Sequence, residues 1–335
     1  MPLPPLSIVI PTFNTAALTI ECCRAVLRDL PAGAEVIVVD DASTDGTAGL
    51  LRSACPAVRV LRLETNRRFA GAANAGVAAS TGDLVLLLNS DAIVEPGALS
   101  ALIAAFAAEP RLGVAGARLL SEDGSPQWSG GPAPTIAWLA VMIGGIAPYL
   151  PRRSSRRGGS GPVAWVSGAA MAFRREVWNA AGPFREDYRF YAQDLELCVR
   201  ATDTGWLVRI VDEARVTHGG GRTMRQWRGV EELAHDPALL WLDLLTWGRA
   251  RYGRLWAHAA VLAACTAALL RIAARRLREL LLLGDARTRS RAVTAVYLAA
   301  LQQLLQERQQ LTRERGGVVP LLDEPPAGGA ELPRP

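Results

Sequence analysis

Four short apolar runs spaced through the first ninety residues constrain the fold more than anything else in this chain. They are LSIVI (6–10), EVIVV (35–39), VRVLRL (58–63) and LVLLL (84–88). Each has the length of a strand; LVLLL is apolar on every residue and LSIVI and EVIVV on all but one, so these three are fit for burial on both faces. Between them lie segments with helical spacing, Leu18, Cys22, Val26 and Leu30 and then the small-residue run 70–80, and after the fourth comes 96–108. DASTDGT, after the second run, offers Ser and Thr as helix N-caps. Strand, helix and strand in alternation predict an α/β fold with a mostly parallel sheet covered by helices on both faces.

Each run ends abruptly on polar residues. The first gives Pro11-Thr12-Phe13-Asn14, the second Asp40-Asp41-Ala42-Ser43, the third Asn66-Arg67-Arg68 and the fourth Asn89-Ser90-Asp91. Open α/β sheets bind ligands beyond the carboxyl ends of their strands. One such cluster is what any strand-to-helix loop carries; four on one edge describe a binding crevice. Further along, 114–120, 163–173 and 207–212 read as strands, and Gly168 inside the second would admit a ligand close to the backbone.

Several chemistries are excluded. GAANAG (71–76) lacks the dinucleotide GxGxxG spacing and no GK[ST] follows it; no GxSxG elbow occurs; three distant histidines without paired cysteines give no zinc pattern. A net charge of +5, carried by arginine with no lysine at all, has no basic stripe interleaved with aromatics, so no nucleic-acid partner is expected. Cys22, Cys23, Cys55, Cys198 and Cys265 form no CxxC and fit reduced thiols, and the N-terminus lacks a basic leader, so a cytoplasmic location is expected.

What remains is a set of isolated carboxylates. A nucleotide base wants an acceptor, which Asp40 or Asp41 can supply. A diphosphate wants Mg²⁺ or Mn²⁺, which Asp91 at a strand end can hold.

SIVIPTFN, VVDDASTDGT, NRRFAGAANAG, STGDLVLLLNSDA and RFYAQDLELCVRA occur in this order over residues 6 to about 223. Together they resemble the family-2 inverting glycosyltransferases of the GT-A fold, and most closely the rhamnosyltransferase-like subgroup. The resemblance implies a metal-dependent, inverting hexosyltransferase. Pro11, Thr12 and Asn14 would line the nucleotide pocket, Asp40 and Asp41 would hold base and ribose, and Phe69 to Asn74 would close over the nucleotide. Asn89-Ser90-Asp91 stands where the family has Asp-x-Asp, leaving Asp91 as the principal metal ligand. Gly168-Ala169 would begin the acceptor side, and Asp194 takes the catalytic-base position.

Gln193 replaces a usual Glu there, which removes a neighbouring charge that raises the pKa of Asp194. Glu196 is a second candidate base, though i+2 on a helix faces it away. His218 is a candidate for metal or diphosphate, and Arg222 for diphosphate. Trp128 is placed for stacking on an acceptor sugar, whereas Trp165, Trp178, Trp206, His235 and His258 read as structural.

The implied donor is dTDP-rhamnose, with a UDP-hexose as the alternative, and the acceptor is lipid-linked or a polysaccharide of the cell envelope. A degenerate, non-catalytic domain that binds nucleotide sugar or a membrane partner is the competing reading; retention of both Asp91 and Asp194 speaks against it. Domains are expected at 1–230 (catalytic), 231–312 (helical) and 313–335 (a disordered Pro/Gly-rich tail). In the helical part, 255–272 is apolar for nearly a bilayer's thickness and is followed by Arg271, Arg275 and Arg278 at helical spacing. The expectation is a helix on the membrane's inner surface with these arginines toward anionic head groups, helped by the apolar stretch 135–150. A single membrane span and a soluble hairpin packed on the catalytic domain are the alternatives.

Overall fold

The computed structural model describes residues 5–146, 162–219 and 235–312. The expected tail at 313–335, the basic stretch 152–161 and Arg222 lie outside the described residues.

The α/β alternation is present. The elements β1 (Leu6–Thr12), β2 (Glu35–Asp40), β3 (Arg59–Arg62) and β4 (Leu84–Leu88) alternate with α1 (Ala16–Arg28), α2 (Thr47–Ala54) and α3 (Arg68–Ala79). These four strands pair in parallel, in the order β3-β2-β1-β4. Next come β5 (Ala92–Val94), α4 (Ala98–Ala108), β6 (Leu112–Leu120), β7 (Gly130–Gly131) and α5 (Ile136–Ile143). They are followed by β8 (Trp165–Val166), β9 (Ala170–Arg174), α6 (Arg175–Ala181), α7 (Gln193–Asp203) and β10 (Leu207–His218).

The eight-stranded sheet runs β3-β2-β1-β4-β9-β6-β10-β5. Strand β9 is antiparallel to both neighbours, and β5 is antiparallel to β10. The sheet is therefore mixed rather than continuously parallel. The strand expected over 163–173 breaks at Ser167–Ala169 into β8, in a separate two-stranded ribbon with β7, and β9 in the main sheet. Because β9 reverses direction twice over, β6 and β10 point the same way as β1, β2 and β4. The carboxyl ends of these strands, the start of β9 and the start of β5 thus share one edge.

Apolar cores cover both faces. One gathers Ile8, Ile10, Leu84, Leu86 and Leu88 under α1 and α4; the other gathers Val9, Ile37, Val39, Val85 and Leu87 under α3, α6 and α7. On the second face α3 lies almost on the strands: a Cβ at Gly76 would come within 2.3 Å of Val9 and 2.8 Å of Val39. Burial on both sides explains why β1 and β4 carry no alternation of polar and apolar residues. Edge strand β3 shows its arginines to solvent instead.

Three helices close the chain: α8 (Pro237–Tyr252), α9 (Arg254–Leu281) and α10 (Gly284–Thr312). Asp236 caps α8 by accepting from the amides of Ala238 and Leu239, with Pro237 at the first turn. The helices share a third core with α5 and the start of α7, including Trp241, Tyr297, Leu139, Tyr188 and Leu195.

Two expectations are corrected here. The apolar stretch from 135 is the helix α5, whose Leu139 and Ile143 are buried in this core rather than offered to a membrane. Arg271 and Arg275 face inward: Arg271 lies over the Tyr297 ring at 3.8 Å and donates to the Ile143 carbonyl, while Arg275 donates to Thr294. Alanines at 257, 260, 264, 267 and 268 bring α9 close to its neighbours, which leaves its leucines outside. By length and composition alone α9 could cross a membrane.

Candidate active site

The polar termini of the strands converge as one connected edge. The hydroxyls of Thr12, Thr15 and Thr19 form a buried cluster after β1, and Thr15 reaches Ser90 after β4 at 3.2 Å. The Asn89 amide donates to the Ala169 carbonyl at the start of β9, and the Gly168 amide donates to Asp194 Oδ2 at 2.9 Å. The ring of Phe69 comes beside Gly168 as well. Four non-glycine residues have positive φ among the described residues: Asn14, Ala42, Arg68 and Ala192. Asn14, Ala42 and Ala192 sit in loops of this edge, and Arg68 opens α3 there. Such conformations cost about 1–3 kcal/mol each and concentrate at functional sites.

Asp194 lies in the first turn of α7, with part of its surface open. Oδ2 is held by the Gly168 amide and Oδ1 by the Leu195 amide. Burial of the remainder raises its carboxyl above the ordinary value, against the lowering effect of those two amides. Glu196 is tied to Arg200 at 2.6 Å on the far side of the helix, which removes it as a base. Gln193 is buried at the helix start.

Asp91, in the turn before β5, meets His218 at the end of β10, with His218 Nε2 3.3 Å from Asp91 Oδ1. The tautomer of His218 follows from its neighbour. Gln127 donates through Nε2 to the His218 carbonyl at 2.7 Å, so its Oε1, 3.0 Å from Nδ1, must accept a proton from Nδ1. Nε2 then offers a lone pair towards a carboxylate oxygen. The same lone pair faces the side-chain Nδ2 of Asn89 at 3.3 Å, so Asn89, Asp91 and His218 meet at one point. The donor set, one carboxylate oxygen and one imidazole nitrogen oriented by a glutamine, fits a divalent cation. Among the described residues no group of three His, Cys, Asp or Glu side chains gathers, so the remaining ligands would come from diphosphate and water. The Gly219 amide donates to the Asp91 carbonyl at 3.0 Å.

The other predicted residues differ in how many polar atoms the fold leaves open. Asp40 is wholly buried, with Oδ1 accepting from Ser43 and Oδ2 from Arg62; it builds the loop rather than meeting a base or ribose. Asp41 is also buried and accepts from the Arg67 amide at 2.7 Å, and burial pushes its carboxyl up to about 6. Asn74 spends both ends of its amide on Phe184 and Glu186, pinning their loop to α3 rather than reaching a nucleotide. Pro11 and Thr12 are buried, whereas Asn14 stays partly open and accepts from Thr44 at 2.8 Å. Trp128 is 45% exposed and forms an aromatic cluster with Trp138 and Trp165 at 5.2 and 5.1 Å. Trp178 is core, stacked on Phe173, and His258 sits on an exposed helix turn. Gln127, beside His218, carries no pattern in the sequence that would have singled it out.

This mixed sheet, with its ligand edge and an acidic residue in the first turn of α7, defines the GT-A class of sugar transferases. The profile of the family described as Glycosyl transferase family 2 matches residues 7–180, and the chain belongs to that family of glycosyltransferases. An N-acetylglucosaminyl-diphospho-decaprenol L-rhamnosyltransferase of Mycobacterium tuberculosis is 29% identical over 201 residues, covering 55% of this chain and 66% of the relative. Succinoglycan biosynthesis protein ExoU of Rhizobium meliloti is 30% identical, covering 56% of each. The chain thus spans just under two thirds of the length of the first and about half that of the second. Among solved structures, a mannosyltransferase from Pyrobaculum calidifontis in complex with GDP-Man and Mn²⁺ shares the fold, with a TM-score of 0.55 and 20% identity over 91% of this chain and 87% of that one.

Proposed function

We propose that this protein transfers a sugar with inversion from a nucleoside diphosphate donor, dTDP-rhamnose, to a hydroxyl of a lipid-linked saccharide in cell-envelope glycan synthesis. The observation that carries the reading is the placement of Asp194. A partly open carboxylate, oriented through the Gly168 amide, stands on the same sheet edge as the Asp91–His218 pair. Asp194 takes the proton of the acceptor hydroxyl as that oxygen attacks the anomeric carbon, and its raised pKa makes it a better base than an exposed aspartate. The bond to the diphosphate breaks on the opposite face, so one displacement inverts the centre and no covalent enzyme intermediate forms. Asp91 and His218 would hold Mg²⁺ or Mn²⁺, which supplies charge stabilisation to the departing diphosphate. Asn14 and Asp41 flank the nucleotide side, and Gly168, Ala169 and Trp128 the acceptor side. The mycobacterial relative's name, a rhamnosyltransferase acting on a diphospho-decaprenol-linked sugar, supports rhamnose as the transferred sugar and a lipid-linked acceptor.

The same acceptor implies a membrane. Leu255, Leu262 and Leu269 repeat every seven residues on the open face of α9, and Leu277, Leu280 and Leu281 extend the stripe, with Arg276 and Arg278 exposed beside it. An apolar stripe ending in cations matches the interface of an anionic bilayer, with α9 lying on the inner surface. The test of the function is a donor screen. Purified protein with Mn²⁺ is offered dTDP-, UDP- and GDP-sugars together with a synthetic diphospho-polyprenol-linked N-acetylglucosamine, and released nucleotide is read. Acceptor-dependent release from dTDP-rhamnose supports the reading; release from none of the donors sinks it.

A further inference from the structure

The loop that delivers the chain to α7 is built on the C-terminal helices. Tyr188 and Ala192 are buried in the core that contains Trp241 and Tyr297. Three successive backbone amides, those of Arg189, Phe190 and Tyr191, converge on one carboxylate: Asp243 of α8 accepts from Arg189 through Oδ1 at 3.0 Å, and from Phe190 and Tyr191 through Oδ2 at 2.8 Å each. Three consecutive amides turned the same way serve neither a helix nor a strand; they form an anion-binding concavity, here filled from another element. Asp243 has no exposed surface, and the Arg189 side chain joins it to Glu307 of α10. A second tie runs from the Asp236 amide at the α8 N-terminus to the Tyr191 hydroxyl, 3.1 Å.

The very next residue, Ala192, adopts φ +67° and begins α7 without any side-chain cap, and Asp194 follows two residues later. An L-residue held in the left-handed region needs its surroundings to impose that conformation. The Asp243 carboxylate holds the three amides immediately before it.

We propose that Asp243 is a positioning residue for Asp194: from the C-terminal bundle it fixes the turn that aims the first residues of α7 at the crevice. The inference rests on Asp194 being the base. It also makes the helices α8 and α10 part of the catalytic apparatus and joins the leucine-striped bundle mechanically to the reacting centre.

The test uses the full chain, with the donor and acceptor that the wild type turns over in the screen. Asp243→Asn keeps the shape of the side chain but one of its two acceptor oxygens. It is expected to lower kcat tenfold or more while donor KM and the dissociation constant for the nucleotide stay within twofold. Hydrogen exchange is expected to quicken in peptides covering 186–196 and to stay unchanged at 36–42 and 84–92. Glu307→Gln shifts the same quantities in the same direction by less. Folded Asp243→Asn protein with wild-type kcat, or with a raised donor KM and unchanged kcat, overturns the proposal. Asp243→Ala adds a larger loss where it folds; where it does not, the kinetics of Asp243→Asn decide the question. Asp194→Asn run in parallel separates the two levels. If it stays fully active, the base assignment falls and this inference with it. If it is inactive while folded Asp243→Asn is normal, only the positioning role is lost.

Discussion

The Gly168 amide donates to Asp194 Oδ2 at 2.9 Å, joining the turn before β9 to the first turn of α7. Residues 26 positions apart thereby fix one carboxylate at the sheet edge. Asp194→Asn keeps that acceptor but cannot take a proton. General-base catalysis contributes roughly 10²–10⁴-fold, so kcat should fall by that factor with nucleotide affinity unchanged. Because burial raises the carboxyl and the ionised form is the active one, the wild-type rate should climb with pH through a midpoint above that of a free aspartate. A pH–rate profile of kcat/KM checks this; an acidic limb at or below the ordinary Asp value contradicts it.

The Asp91–His218 pair predicts metal-linked nucleotide binding. Mn²⁺ with dTDP should raise the melting temperature of the wild type, and Asp91→Asn should abolish the part that depends on the metal. Gln127 sets the His218 tautomer from outside the ligand set. Losing such a partner typically costs about 10–100-fold in metal affinity, which is the expectation for Gln127→Ala in a Mn²⁺ titration.

Asp41 makes stability pH-dependent. Its folded value of about 6 exceeds the unfolded 3.8, so the folded state holds the proton more tightly. The associated stability is fully present below the unfolded value and is lost as pH rises through about 6. Urea midpoints of the wild type should therefore fall relative to those of Asp41→Asn between about pH 4 and pH 7. Parallel curves would contradict the assignment.

The leucines of α9 predict reversible attachment to lipid. Burying a leucine contributes about 1.5–3 kcal/mol. Replacing exposed Leu262 and Leu269 by Ser together should lower binding to anionic vesicles at least tenfold without changing the melting temperature. Equal vesicle binding would remove the membrane face. A concentration-dependent dimer of the wild type, lost in the double variant, would assign the stripe to a second copy instead.

Much of this was legible in the sequence because burial on both faces leaves no choice: LSIVI, EVIVV and LVLLL can be little other than central strands, and their polar ends mark the ligand edge. The antiparallel insertion of β9 was not legible. An apolar run between a glycine and a helix looks alike in either direction, and only the pairing partners decide it. Asp194 stood out through its motif, whereas Asp40 and Asn74 match the same motifs yet spend their polar atoms inside the chain. A motif gives residue type, and only the fold shows which oxygens are already taken. Arg271 and Arg275 illustrate the converse: helical spacing put them on one stripe, and the Tyr297 ring decided that the stripe faces inward.

The most direct measurement is the configuration of the product. With dTDP-rhamnose, Mn²⁺ and a diphospho-polyprenol-linked acceptor, NMR of the new glycosidic bond should show the anomeric centre inverted relative to the donor, and Asp194→Asn should form almost none of it. A product of retained configuration, or undiminished transfer by Asp194→Asn, would contradict the account.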